Sequence, residues 1–155
     1  LVLIEPFEIH INDGILDGVL ALGSNSEGRF KMSNFDASVI TQFIDSKYLN
    51  LSGIIFGELG FSSLNQDHEY DIDISLKKGT YLTEPYEQMN LAILLKTGVM
   101  YIDDISMTRD TSMGFQLSGI LPLNNAKENK RTVSLYTTFK DLPIIIKSIL
   151  KGIKL

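Results

Sequence analysis

The stretch Tyr70-Asp71-Ile72-Asp73-Ile74-Ser75-Leu76 decides the fold, because apolar and polar residues change places at every step. A strand turns successive side chains to opposite faces. A period of two therefore predicts a strand with one apolar face and one wet face.

The same pattern recurs outward in both directions. On the C-terminal side, Met89, Leu91, Ile93 and Leu95 alternate with Gln88, Asn90, Ala92 and Leu94. Met113, Phe115, Leu117, Gly119 and Leu121 follow against Gly114, Gln116, Ser118 and Ile120, and Val133, Leu135, Thr137 and Phe139 share one side. On the N-terminal side, Leu49, Leu51, Ile55, Leu59 and Phe61 share a parity whose gaps are filled by Gly53 and Gly57. Phe7, Ile9 and Ile11 lead into Asn12-Asp13-Gly14, a hairpin signal, and the chain continues from Ile15 to Leu22. Polar, Gly-bearing segments separate these runs: Ser24 to Gly28, Asn65 to Asp67, Lys77 to Gly79 and Asn124 to Asn129. Their residues tolerate positive φ or bond their own backbone, which predicts turns. Strands joined by short turns predict an antiparallel meander.

Two segments carry a helical spacing instead. In Asp36 to Ser46, Val39, Ile40, Phe43 and Ile44 fall on one helix face, with Asp36 placed to cap it. In Asp141 to Leu150, Leu142, Ile145, Ile146, Ile149 and Leu150 do the same, with Asp141 as the cap and Pro143 in the first turn. Each follows a Phe, at Phe35 and Phe139, and Ile40 and Ile44 correspond to Ile145 and Ile149. Lys47 to Leu51 corresponds in turn to Lys151 to Leu155. This near-constant offset reads as a weak repeat cut partway. The chain also begins at Leu1 rather than Met. Residues 1–155 are thus expected to form one segment excised from a larger repetitive protein.

Composition narrows the function. The 155 residues carry a formal charge of −5, 44% hydrophobic and 21% charged residues, and no cysteine. That is globular composition without a basic footprint for nucleic acid. Disulfides, thiolate metal sites and cysteine nucleophiles are excluded. No apolar run reaches the ~18 residues of a membrane-spanning helix. His10 and His68 read as exposed residues near strand ends, and no Gly-x-Ser-x-Gly elbow is present. Asp71 with Asp73, on a polar strand face, and Asp103 with Asp104, at a bend, lack the spacing of a calcium loop. Gly53, Gly57 and Gly60 are followed by no Lys-Ser/Thr, so they read as curvature or bulges rather than a phosphate loop. Asn50-Leu51-Ser52 matches a glycosylation sequon by position inside a strand, where chance is the reading. No catalysis and no cofactor are expected.

The run Phe30-Lys31-Met32-Ser33-Asn34-Phe35, then a helix, then Leu49-Asn50-Leu51-Ser52-Gly53-Ile54-Ile55-Phe56-Gly57-Glu58-Leu59 resembles the TamB family, the translocation and assembly module subunits. That family belongs with the AsmA-like and bridge-like lipid-transfer proteins. Ile72 to Thr80, and Phe115-Gln116-Leu117-Ser118-Gly119-Ile120-Leu121-Pro122-Leu123, resemble its recurring strands. The likeness runs from about Phe7 to Leu155, and Glu84-Pro85 falls a few residues later than the family's usual proline. The resemblance implies a curved, open antiparallel sheet, a taco-like β-groove with an apolar concave face, accompanied by the two short helices. It implies a periplasmic setting in the envelope of a diderm bacterium, with a parent anchored in the inner membrane. It further implies phospholipid transport to the outer membrane, and a part in outer-membrane barrel assembly with a barrel partner.

A sheet with one apolar face needs a cover, and two short helices cover few strands. An accessible trough would shelter acyl chains at about 0.8 kcal/mol per buried CH₂. The residues expected to touch lipid are Leu51, Ile55, Leu59, Phe61, Tyr70, Ile72, Ile74, Leu76, Leu91, Ile93, Leu95, Met113, Phe115 and Leu117. Two alternatives use the same sheet. One is a scaffold whose open edge pairs with nascent barrel strands. The other is a structural β-sandwich that spaces other domains, which would need a filled, size-complementary core.

Overall fold

The computed structural model describes residues 2–39, 50–64, 67–81, 84–110, 114–123 and 132–138. They form nine strands in one sheet whose spatial order is the order in sequence. The strands are β1 (Val2–Ile11), β2 (Gly14–Leu22), β3 (Ser26–Asp36), β4 (Ile54–Leu64), β5 (Asp67–Tyr81), β6 (Glu84–Lys96), β7 (Val99–Thr108), β8 (Gly114–Pro122) and β9 (Thr132–Thr137). Every neighbouring pair is antiparallel, and β1 does not close onto β9. The expected mainly-β, open antiparallel meander is what the chain forms.

Turn chemistry explains the tight reversals. Asn12 takes φ 54 between β1 and β2. Thr97 and Gly98 take φ 48 and 72 between β6 and β7, the two positive values that a twist-matched two-residue hairpin requires. Asn34, also at positive φ, sends its side-chain amide 3.0 Å to the Asp13 carbonyl and ties β3 to the first turn.

Among the described residues, helix is confined to 37–39. Its start is capped as the sequence predicts: the Ser38 N–H donates to Asp36 Oδ1 at 2.8 Å. The remainder of the expected Asp36 to Ser46 helix, the expected helix Asp141 to Leu150, Phe139, Met113 and the expected second copy of the repeat lie outside the described residues.

Three sequence expectations are corrected. Lys77 to Gly79 is no chain reversal. Lys78 takes φ 51 inside β5, and pairing with β6 runs on through Gly79↔Tyr86 to Tyr81↔Glu84. Leu51 is not part of the strand that holds Ile55. The backbone turns at Gly53, φ 121, and Leu51 makes a single bridge to Tyr81. Asp103 and Asp104, expected at a bend, lie inside a full strand, β7 (Val99–Thr108), in which period-two alternation is broken.

The break in β7 is one of three places where a strand carries one residue more than its partner. They lie between Ile4 and Phe7, between Met32 and Phe35, and between Ile102 and Ile105. An inserted residue shifts parity, so residues of opposite parity on either side of it share a face. The apolar set thereby stays in phase from strand to strand.

Candidate functional site: a four-row apolar face

The registers align apolar residues into rows that cross the strands. One row runs Phe7, Gly18, Phe30, Leu59, Ile72, Ile93, Ile102, Gly119 and Val133. A second runs Ile9, Leu16, Met32, Gly57, Ile74, Leu91, Ile105, Leu117 and Leu135. Both contain nothing but apolar residues and glycine over all nine strands. At strand spacings of roughly 4.8 Å, such a row extends about 38 Å.

Two further rows flank these, and their exposure differs. Phe35, Ile55, Leu76, Met89, Met107 and Phe115 make a row across β3 to β8 in which every side chain is buried. Ala37, Val39 and Leu51 join this cluster from outside the strands. At the opposite end of the strands lie Leu20, Gly28, Phe61, Tyr70, Leu95, Met100 and Leu121. Here Tyr70 is 45% exposed, and the other side chains of the row are only half-buried. The apolar face is therefore closed at one end and open at the other.

A clasp holds the closed end. The connection between β3 and β4 returns along β5. The Ser52 N–H donates to the Thr80 carbonyl at 2.9 Å, and the Thr80 N–H donates to Ser52 Oγ at 3.0 Å. The Tyr86 hydroxyl donates to the Ser52 carbonyl, and burial pushes its phenol pKa up to about 12. The approach is so close that a Cβ on Gly79 would sit 1.9 Å from the Ser52 oxygen. Ala37 N–H donates to the Gly53 carbonyl at 2.9 Å and fastens the two ends of the connection together.

Aromatic rings floor part of the open end. The Phe7 and Phe30 rings lie 5.9 Å apart, and Phe30 stacks on Phe61 at 6.3 Å. Gly28 makes this possible, since a Cβ there would come 2.5 Å from the Phe61 ring.

The other face of the sheet carries most of the charged residues together with exposed apolar ones, Val19, Phe56, Tyr101 and Ile120 among them. Glu8, Asp17, Lys31, Glu58, Asp73, Ala92 and Asp104 form one row on it. Glu8 opposes Asp17 and Glu58 opposes Asp73, an arrangement that costs stability. Lys96 lies 2.8 Å from Glu69, whose hydrogen bond and charge hold the ammonium pKa above its ordinary value. His10 meets Glu8 at 2.5 Å, and both histidines are exposed. Asp103 is in the stretch of β7 that carries the extra residue.

The expected lipid-contact residues divide along these lines. Ile55, Leu76, Phe115 and Leu117 are buried. Leu59, Phe61, Ile72, Ile74, Leu91, Ile93 and Leu95 are half-buried, and Tyr70 is exposed, all on the apolar face. Leu51 packs against the buried cluster at the clasp, and Met113 is outside the described residues. Residues not among the expected lipid contacts complete the face: Phe7, Leu16, Leu20 and Phe30 from β1 to β3, and Met100 and Ile102 from β7. Among the described residues no helix is long and apolar enough to cross a membrane. Comparison with known protein families, with curated proteins and with solved structures found no match.

Proposed function

We propose that the open end of the apolar face, with the half-buried residues of its middle rows, is a lipid-contact surface. In this reading the chain is a groove segment of a periplasm-spanning envelope protein that moves phospholipid between inner and outer membranes. The observation that carries the proposal is the unbroken apolar row from Phe7 to Val133, which crosses every strand. Acyl chains laid along such a row would lose contact with water at about 0.8 kcal/mol per CH₂, with no polar group to desolvate beneath them. Head groups would stay in water at the open end. The sequence resemblance to the TamB family supplies the cellular setting and the phospholipid cargo. The reading involves no chemical step.

The competing scaffold reading needs an edge free to pair. At β1 that edge is blunted by Pro6 in a stretch with an irregular register, a combination that discourages strand addition. The spacer reading fits the closed end and leaves the exposed Tyr70 row without a role.

The test is site-specific photo-crosslinking in the periplasm of a diderm bacterium, with mass spectrometry of the adducts. Probes go at half-buried Ile93 and Leu95, at buried Leu76, and at Asp73 on the opposite face. Phospholipid adducts at Ile93 and Leu95 but not at Asp73 are expected. Protein adducts in their place would favour the scaffold, and the absence of any lipid adduct would sink the lipid reading.

A further inference from the structure

The face opposite the apolar rows carries an ordered chain of side-chain hydrogen bonds that the lipid reading does not use. Ser75 Oγ and Gln88 Nε2 each donate to Asn90 Oδ1 at 2.9 Å. Asn90 Nδ2 donates to Ser106 Oγ at 3.1 Å, and Ser106 Oγ donates to Asp104 Oδ2 at 2.9 Å. Gln116 Nε2 donates to Asp104 Oδ1 at 3.1 Å. The chain crosses β5, β6, β7 and β8 and runs into an open cleft. The cleft in question, of about 490 Å³, is lined by Asn90, Asp104, Ser106, Gln116, Tyr136 and Thr138 among others. Tyr136 stands directly across from Gln116 in the β8–β9 register and is 69% exposed.

These bonds spend only part of each group's capacity. Asn90 keeps one amide hydrogen, Gln116 keeps one together with its carbonyl oxygen, and each Asp104 oxygen keeps a lone pair. The spent bonds fix the orientation of the unspent ones, so donors and acceptors are presented pre-organised beside an exposed aromatic ring. That set suits a neutral ligand whose hydroxyls both donate and accept, and whose C–H face can lie on a ring. An anion would meet Asp104 and Asp110 in the lining. A metal ion is a poor fit, because among the described residues no three acidic or imidazole groups converge to hold one. An acyl chain would strand the amides and the carboxylate without partners.

We propose that this cleft is a saccharide-binding site, in which Asn90, Asp104 and Gln116 bind ring hydroxyls and Tyr136 stacks on the pyranose face. The proposal stands apart from the lipid reading, because it concerns the opposite face of the sheet.

The experiment is an NMR titration of the isotope-labelled 155-residue chain with cellotetraose, chitotetraose and maltotetraose at millimolar concentration. Saturable shifts at the Asn90 and Gln116 side-chain amides and the Tyr136 ring are expected from at least one of them. Tyr136→Ala and Gln116→Ala replace exposed side chains, and weakening by about tenfold in either, with the spectrum still dispersed, supports the site. Tyr136→Phe keeps the ring and is expected to retain binding. No shift from any of the three sugars overturns the proposal, as does binding that neither alanine variant weakens.

Discussion

The row from Phe35 to Phe115 and the row from Leu20 to Leu121 are carried by overlapping strands and built from the same kinds of residue, yet one is sealed and the other is not. Ile55 and Leu76 have 0% of their surface exposed, while Tyr70 has 45%. The residues themselves do not account for the contrast. Residues 37–39 and 50–53 are fastened at the sealed end, where Ser52 bonds Thr80 and Tyr86, and Ala37, Val39 and Leu51 pack with its buried cluster. A connection between strands thus adds to the burial at one end of this face and not at the other. The sealed row belongs to the packed core of this wide sheet, together with Met32, Ile102, Ile105 and Leu117 of the middle rows, and the open row stays half-buried or exposed.

The contrast can be broken most forcefully by truncating one residue from each row. Leu76→Ala removes a fully buried side chain and is expected to cost about 2–5 kcal/mol in urea unfolding. Leu95→Ala, on the open row, is expected to cost about 1 kcal/mol. Equal losses would show that both ends are packed alike. Next in size is Gly79→Ala, whose Cβ collides with the Ser52 carbonyl. A loss of about 1–3 kcal/mol is expected, with faster amide exchange in the Leu76–Met89 row and little change near Leu95. Uniform change along the strands would argue against a local clasp.

The smallest effect belongs to Tyr86→Phe, at about 1 kcal/mol for the lost bond to the Ser52 carbonyl. It also carries a pH signature. The folded phenol pKa is raised from 10.0 to about 12, so the folded state holds its proton longer than the unfolded one. That contribution is complete below pH 10 and is lost as pH rises from 10 to about 12. The difference in stability between wild type and Tyr86→Phe should therefore shrink over this window, and a difference independent of pH would place the phenol in water.

Alternation made β5, β6 and β8 legible, because Ile72 to Leu76, Met89 to Leu95 and Phe115 to Leu121 keep one parity on the apolar face. β7 escapes the same reading. Met100 and Ile102 are even, Ile105 and Met107 are odd, and the extra residue between them puts all four on one side. Lys77-Lys78-Gly79 has turn composition, but cross-strand pairing with Gln88 and Tyr86 carries the strand through it. The division into closed and open ends is invisible to periodicity, which reports the face a residue occupies and not what lies above it. The polar chain from Ser75 to Gln116 is hidden for a related reason: its members are far apart in sequence and meet only through register.

Among the described residues, each strand pairs only with the strands before and after it in the chain. A sheet wired this way has no crossovers to reroute, so inserting or deleting a hairpin leaves every other pairing intact. The apolar rows would change length by about 10 Å per hairpin, the width of two strands. The distance such a surface reaches is then a matter of counting hairpins, and gene duplication within one chain could adjust it in uniform steps while the local chemistry of each row stays the same.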